Sequence, residues 1–198
     1  MYKILLISLV SCALTGCSTE SGKQNHTTNR DITENENKAA ENSITAFLSN
    51  PKQPLRLDAW SSDFMSCGPH LWTKIKDDYD KVNPDPNTIS FVMKTATLDQ
   101  SGNLLGMRTN SEAKSFRDVN DVKLLWNVVL EETGVHKDFS IRKPTDLEMK
   151  LLIKQIPFII EDPVLVVEAE RSHLILIMSH SNGHYRPIWV DDLYGVNQ

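Results

Sequence analysis

The stretch HLILIMSHSNGHYRPIWVDD, residues 173–192, decides the fold. It joins an aliphatic run over 173–179 to a second apolar run through the dipeptide Asn182-Gly183. Asn-Gly between two apolar runs is the strongest short hairpin signal, because both residues tolerate the positive φ of a type I′ turn. A nearly all-aliphatic strand is typical of a central place in a sheet. The stretch therefore predicts a β-hairpin with His173 and Asp192 together at its open end.

The segments upstream of this hairpin are mostly helical in pattern. Apolar spacing, capping signals and turn residues indicate where each one begins and ends. The predicted order is a loop over 60–66, a helix from 69, a hairpin over 89–98 and 104–108, a helix over 121–132, a helix over 145–155 that opens with a capping box, and a strand over 164–168. Helices that precede an antiparallel sheet indicate the α+β class.

The N-terminus resembles the signal peptide of a bacterial lipoprotein. Lys3 precedes an apolar run that is too short to span a membrane but suits an export signal. The sequence Leu14-Thr15-Gly16-Cys17 then matches the lipobox, which implies cleavage of residues 1–16 and lipidation of Cys17. Ser18, where an inner-membrane protein of this type has Asp, implies an outer-membrane anchor facing the periplasm, or the cell membrane in a Gram-positive source. The alternative is an ordinary secretory signal with a chance cysteine.

Composition divides the remaining chain into a tether and a domain. Residues 17–50 are rich in Asn, Thr, Glu and Ser and are predicted to be a lipidated, disordered tether, apart from a possible short helix over 39–48. Residues 51–198 are about as long as one ordinary domain with a core. The net charge of −5 without a basic stretch argues against nucleic acid as a partner. Oligomeric state is left open.

The cysteine count leaves one thiol to explain. Cys12 leaves with the signal peptide and Cys17 carries the lipid, so Cys67 is alone in the domain and no intrachain disulfide can form. A solitary thiol in an exported protein is either buried and inert or kept for its reactivity. Cys67 precedes Pro69 and a predicted helix, and a helix N-terminus can lower a thiol pKa. With His173 as base and Asp192 behind it, this predicts a Cys-His-Asp arrangement for nucleophilic catalysis.

These residues resemble the papain-like cysteine peptidases of the bacteriocin-leader-processing type. The resemblance lies in Cys67-Gly68-Pro69 before a helix, the strand that opens with His173, and the segment Trp189–Gly195. It implies a papain-like fold with N-terminal helices on a C-terminal antiparallel sheet, a peptide or protein substrate, and no cofactor. It also implies Cys67 as nucleophile, His173 as general base and acid, and Asp192 as orienter of the imidazole.

Three departures from that family leave other interpretations open. Ser61 stands where the family has the Gln of the oxyanion hole, so it is at most a weak donor, and His70 follows the motif in place of a small residue. The hairpin over 89–108 replaces a segment that is often helical in the family. The chain is therefore expected to be a membrane-anchored envelope cysteine peptidase or amidase. The alternative is a non-catalytic lipoprotein with a degenerate peptidase fold that binds an envelope or immunity partner.

Each site residue also has a simpler interpretation. Cys67 could be a small buried apolar residue, His173 could be a core histidine, and Asp191 could take the role given to Asp192. A metal site at His180 and His184 is a further alternative, but two ligands beside a turn make a poor zinc site, so no metal is expected.

Overall fold

A mixed seven-stranded β-sheet forms the centre of the fold. The computed structural model describes residues 31–49, 65–98, 103–156 and 158–193. The strands are β1 (Met65–Cys67), β2 (Thr88–Leu98), β3 (Leu104–Phe116), β4 (Ser140–Arg142), β5 (Val164–Ala169), β6 (Ser172–Ser181) and β7 (His184–Asp192). The helices of the described residues are α1 (Glu34–Ser49), α2 (Pro69–Val82), α3 (Val119–Thr133) and α4 (Asp146–Gln155). The predicted α+β class is confirmed.

The strand order is β2-β3-β1-β7-β6-β5-β4. The pairing of β1 with β7 is parallel, with Cys67 opposite Val190, and every other pairing is antiparallel. The expectation of a purely antiparallel sheet is therefore wrong. The reason is that Met65–Cys67, predicted as the end of a loop, forms a short buried strand between β3 and β7.

The C-terminal hairpin forms as the Asn-Gly signal predicts. Asn182 and Gly183 have φ values of 52° and 81°, in the left-handed region that the turn requires. Residues 174–178 of β6 are buried on both faces of the sheet, which explains their unbroken aliphatic character. Strands β6 and β7 together carry the centre of the sheet.

The two faces of the sheet have different partners. Helices α1, α2 and α3 pack with Leu174 and Leu176 of β6, and we call this side the three-helix face. Helix α4 packs with Ile175 and Ile177, and we call this side the α4 face. Successive strand residues point to opposite faces, so alternate residues of β6 belong to different cores. No helix among the described residues has the length and apolar character needed to cross a membrane.

Helix α1 corrects the predicted boundary between tether and domain. The expected short helix over 39–48 extends over Glu34–Ser49, and Ala40, Ile44, Phe47 and Leu48 are buried in the core of the three-helix face. These side chains recur at helical spacing in an otherwise polar segment, and their burial against β7 and β5 offsets the ordering entropy. Residues 34–49 therefore belong to the packed domain.

The other predicted helices have the expected signals at their ends. Asp118 caps α3 by accepting the N–H groups of Asn120 and Asp121, and Gly134 ends that helix with a φ of 67°. Thr145 and Glu148 form the predicted capping box at the start of α4. Trp72 and Trp126 are buried, as expected for core residues.

The hairpin of β2 and β3 is longer than predicted and extends beyond the part of β3 that pairs with β1, with Met93 and Ala113 buried in the core of the α4 face. Strand β3 continues to Phe116, yet only its last three residues, 114–116, pair with β1. Residues 91–98 of β2 and 104–113 of β3 pair with one another, and we call them the β2–β3 arm. Among the described residues, no strand pairs with the arm on either of its edges.

Candidate functional site

Cys67 lies at the end of β1, directly before Gly68, the N-cap residue of helix α2. Its side chain is 0% exposed and belongs to the core of the three-helix face. Its sulfur is 3.7 Å from the carbonyl oxygen of Gly68, the N-cap residue of the helix. The predicted position before a helix is confirmed, and the thiol is closed off from solvent.

The surroundings of Cys67 oppose ionisation of the thiol. Burial raises the pKa of the Cys67 thiol well above its usual range, and the nearby negative charge of Asp191 raises this pKa further. A nucleophilic cysteine needs the opposite shift. The dipole at the start of α2 is therefore outweighed, and the thiol is held in its protonated form.

His173 lies on the other face of the sheet. It is two residues before Ile175, so strand alternation places its side chain on the α4 face. The ring is about one third exposed, and its Nε2 is 4.0 Å from Oε1 of Glu168 on the paired strand. This surface position differs from both the predicted catalytic position and the alternative of a core histidine.

The structure does not bring Cys67 and His173 together. Cys67 is opposite Val190, and Val190 is opposite Leu176, so the two candidate residues are separated by one intervening strand and three positions along β6. Strand spacing makes the lateral step about 10 Å, and the shift along the strand adds about 10 Å more. Because they also point to opposite faces, the predicted proton transfer between them is wrong.

Asp192 is buried and holds a different set of partners from the expected one. Its Oδ1 accepts the backbone N–H of His173 at 3.1 Å, and its Oδ2 is 2.5 Å from Nζ of Lys74 on helix α2. The contact with His173 thus goes to its main chain. Within the described contacts, Asp192 fixes the open end of the hairpin and pairs with α2, in place of the predicted orientation of the imidazole.

Asp191 holds a carboxylate-histidine contact that the sequence did not reveal. Its Oδ2 is 2.9 Å from Nδ1 of His70, and its Oδ1 accepts the backbone N–H groups of Leu71 at 2.7 Å and Asp192 at 3.0 Å. His70 had been noted only as a departure from the family, and His173 alone was expected to have such a partner. We call His70, Lys74, Asp191 and Asp192 the α2 cap cluster.

Gly68 is the residue that makes the cap cluster possible. Its N–H donates to the carbonyl of Val190 at 2.7 Å, so the chain passes very close to the end of β7. A Cβ at this position would lie 2.3 Å from Cγ of Asp191, which no real contact allows. Its φ is −70°, so close approach, and not an unusual backbone conformation, accounts for the glycine.

The pKa of His70 is shifted by the cap cluster. Burial by itself lowers the pKa of His70, but the hydrogen bond and charge of Asp191, together with the charge of Asp192, outweigh burial and raise this pKa above 6.5. Lys74 acts in the lowering direction. The cluster therefore favours the imidazolium form of His70.

The chain was compared with protein-family models, with curated proteins and with solved structures. No family model, curated protein or solved structure matches it.

The remaining predicted site residues give no second catalytic arrangement. Ser61 and Cys17 lie outside the described residues. His180 stacks near Tyr185 with ring centroids 5.0 Å apart, and His184 is exposed beside the turn. Within the described ranges, no three His, Cys, Asp or Glu side chains are grouped so that they could hold a metal ion. What the described geometry offers is a buried polar cap and a β-arm whose edges no described strand pairs with.

Proposed function

We propose that this chain is a non-catalytic lipoprotein of the bacterial envelope whose α+β domain binds a partner protein through the β2–β3 arm. In this proposal Cys17 carries the lipid and holds the domain on the periplasmic face of the outer membrane, or on the cell membrane in a Gram-positive source. The observation that carries the binding role is the arm itself.

The arm has the features of a protein-binding element. One face of the arm packs on helix α4 through Met93 and Ala113, whereas among the described residues no strand pairs with the edges of the arm. An unpaired strand edge is a template for pairing with another chain. Val92 is 70% exposed and Leu105 is 67% exposed, and large exposed apolar side chains beside an unpaired edge favour contact with protein. Among the described apolar residues of the arm, these two have the largest exposed fractions.

The two edges of the arm differ in how open they are. Between the pairs Met93–Ser111 and Thr95–Arg108, and again between Thr97–Gly106 and Leu98–Leu104, β3 has one residue more than β2, so both bulges are on β3. A bulge discourages pairing of its strand with another strand. Strand β2 has no extra residue in the arm, and among the described residues its one partner strand is β3. We therefore favour the β2 edge, with an extended segment of the partner added as a strand.

We also propose that this chain descends from a papain-like peptidase and has lost its catalytic activity. Cys67 before a helix, and His173 with Asp192 on paired strands, support that descent. Ser61 in place of the oxyanion glutamine, together with a buried thiol, supports loss of catalysis, because one lost oxyanion donor can cost about 10²–10³ in rate.

Alkylation of Cys67 separates the binding protein from a peptidase. We expect iodoacetamide to modify Cys67 of the folded protein more slowly than a free thiol at neutral pH and to reach the free-thiol rate only in denaturant. The His173→Ala variant should react at the same slow rate. If the folded protein is labelled fast and the His173→Ala variant is labelled more slowly, the result would support a cysteine peptidase or amidase instead.

Site-specific photo-cross-linking in intact cells tests the arm. A photoreactive amino acid at Val92 should give one discrete, saturable protein adduct, whereas the same probe at Val82, exposed at the end of α2, should not. Adding Leu105→Glu to the Val92 probe should reduce the adduct about tenfold, which corresponds to roughly 1.4 kcal/mol of binding. Equal adducts at Val92 and Val82, or no effect of Leu105→Glu, would contradict binding through the arm.

A further inference from the structure

We propose that His70 and Asp191 form a pH-sensitive latch that holds the first turn of helix α2 against the end of strand β7. The latch lies within the α2 cap cluster and is independent of the proposed binding role. It is inferred from a cap supplied from a distant part of the chain and from the charge balance around two buried carboxylates.

The first turn of α2 takes its cap from β7. Gly68 at the N-cap has no side chain, and the structure shows no local side-chain cap. The carboxylate of Asp191 accepts the N–H of Leu71 in its place, from a residue 120 positions further along the chain. A carboxylate is also the group that the positive end of a helix dipole prefers. The attachment of α2 to the sheet therefore depends on the state of Asp191.

The charge balance of the cluster depends on His70. Asp191 and Asp192 are each only 1% exposed, and a buried carboxylate is costly unless a cation pairs with it. Lys74 pairs with Asp192. Among the described residues, the one basic side chain within ion-pair distance of Asp191 is His70. Protonation of His70 therefore gives each carboxylate its own cation.

Within the part of the chain that the structure describes, no other charged group supplies that balance to Asp191. From β1, the nearest titratable group is the Cys67 thiol, which is neutral in its protonated form. From β6, His173 contributes a backbone N–H to Asp192. On α2, Lys74 is 43% exposed and its partner is Asp192. The imidazole is thus the group that changes the net charge of the cluster near neutral pH.

The direction of the pH response follows from the shift. The pKa of His70 is higher in the folded protein than its ordinary value of 6.5. The stabilisation by the ion pair is therefore complete below about pH 6.5 and is lost as pH rises through the higher, folded value. The latch is tight in mild acid and loosens as the pH rises above the pKa of His70 in the folded protein.

Urea unfolding of His70→Gln tests the latch, with His184→Gln at the exposed, opposite end of β7 as the control. We expect the loss of midpoint caused by His70→Gln to be larger at about pH 5.5 than at about pH 8.5, because glutamine cannot gain the charge. The control should lower the midpoint equally at both pH values. An equal loss from His70→Gln at both pH values would overturn the latch.

An NMR titration of the unmodified protein gives a second readout that needs no stable variant. The His70 ring should titrate above pH 6.5, and the amide of Leu71 should shift over the same pH range because it shares the carboxylate. Where Asp191→Asn folds, its His70 should titrate below the unmodified value. A ring that titrates at or below 6.5 in the unmodified protein, or an amide of Leu71 that does not follow it, would overturn the proposal.

Discussion

Neighbouring residues in this protein have unrelated roles because strand alternation and the end of β7 separate them. Asp191 caps α2 and meets His70, while Asp192 pairs with Lys74 and ties down β6. The sequence pointed to both aspartates as the polar end of a hairpin, and that prediction is confirmed. Which partner each carboxylate meets depends on the parallel contact between β1 and β7, which no local pattern contains.

Gly68 gives the sharpest prediction at the residue scale. Gly68→Ala should lower the free energy of unfolding by about 1–3 kcal/mol or more, because the added methyl group would overlap the carboxylate of Asp191. Gly106→Ala is the matched control, since a Cβ there would meet nothing within 4 Å. Chemical denaturation of the three proteins measures the difference. Similar stabilities for the two variants would show that β7 does not approach Gly68 so closely.

Helices and strands were predicted best where the signal is local. The caps of α3 and α4 and the turn of the C-terminal hairpin are set by residues next to one another, and all three are confirmed. Helix α1 and strand β1 were underestimated, because each is stabilised by distant packing more than by its own sequence. Met65–Cys67 is too short to show the alternation that identifies a strand.

Helix α1 should contribute strongly to stability. Ile44→Ala should cost about 2–5 kcal/mol, because Ile44 is completely buried in the core of the three-helix face. Asn42→Ala, on the exposed side of the same helix, should change the stability by less than about 0.5 kcal/mol. Thermal or urea unfolding of both variants measures this. If both variants change the stability only slightly, residues 34–49 would belong to the tether and not to the packed domain.

The start of helix α4 should weaken in acid. Glu148 is 3% exposed; burial raises its pKa, but Arg142, in two contacts of 2.7 Å, and the N–H of Thr145 outweigh burial and hold the pKa of this carboxyl below its usual range. Its stabilisation is present above the ordinary value near 4.5 and is lost as pH falls through the folded value.

The Glu148→Gln variant checks this acid response. Its stability relative to the unmodified protein should be lowest at neutral pH, and the difference should shrink as the pH falls below about 4. Glu170→Gln, in the exposed turn between β5 and β6, serves as the control and should show no such trend. A pH-independent difference for Glu148→Gln would contradict the assignment.

The whole molecule combines a packed domain with an expected lipid anchor. For the domain, the sequence predicted the fold class well and the catalytic site poorly. The fold class followed from the order of local elements, and it is confirmed. The prediction of the catalytic site is wrong because it required the side chains of Cys67 on β1 and His173 on β6 to lie on the same face of the sheet. That relation depends on the register of two successive strand pairings, and each single-residue step reverses the face.

Removal of the proposed anchor should change where the protein resides. Cys17→Ser should abolish incorporation of labelled palmitate and should release the domain from the membrane fraction, because no other acylation site is proposed. The folded domain itself should keep its unfolding midpoint. Membrane fractionation and a denaturation curve measure the two properties. Retention of the lipid label in Cys17→Ser would place the anchor elsewhere.

The position of β7 in the middle of the sheet has a consequence for biogenesis. Strand β7 separates β1 from β6 and also supplies the cap of α2, so among the described strands the two halves of the sheet join through it. During synthesis the two halves therefore cannot be joined until residues 184–192 have been delivered. Stop codons that remove these residues should yield material that proteases degrade.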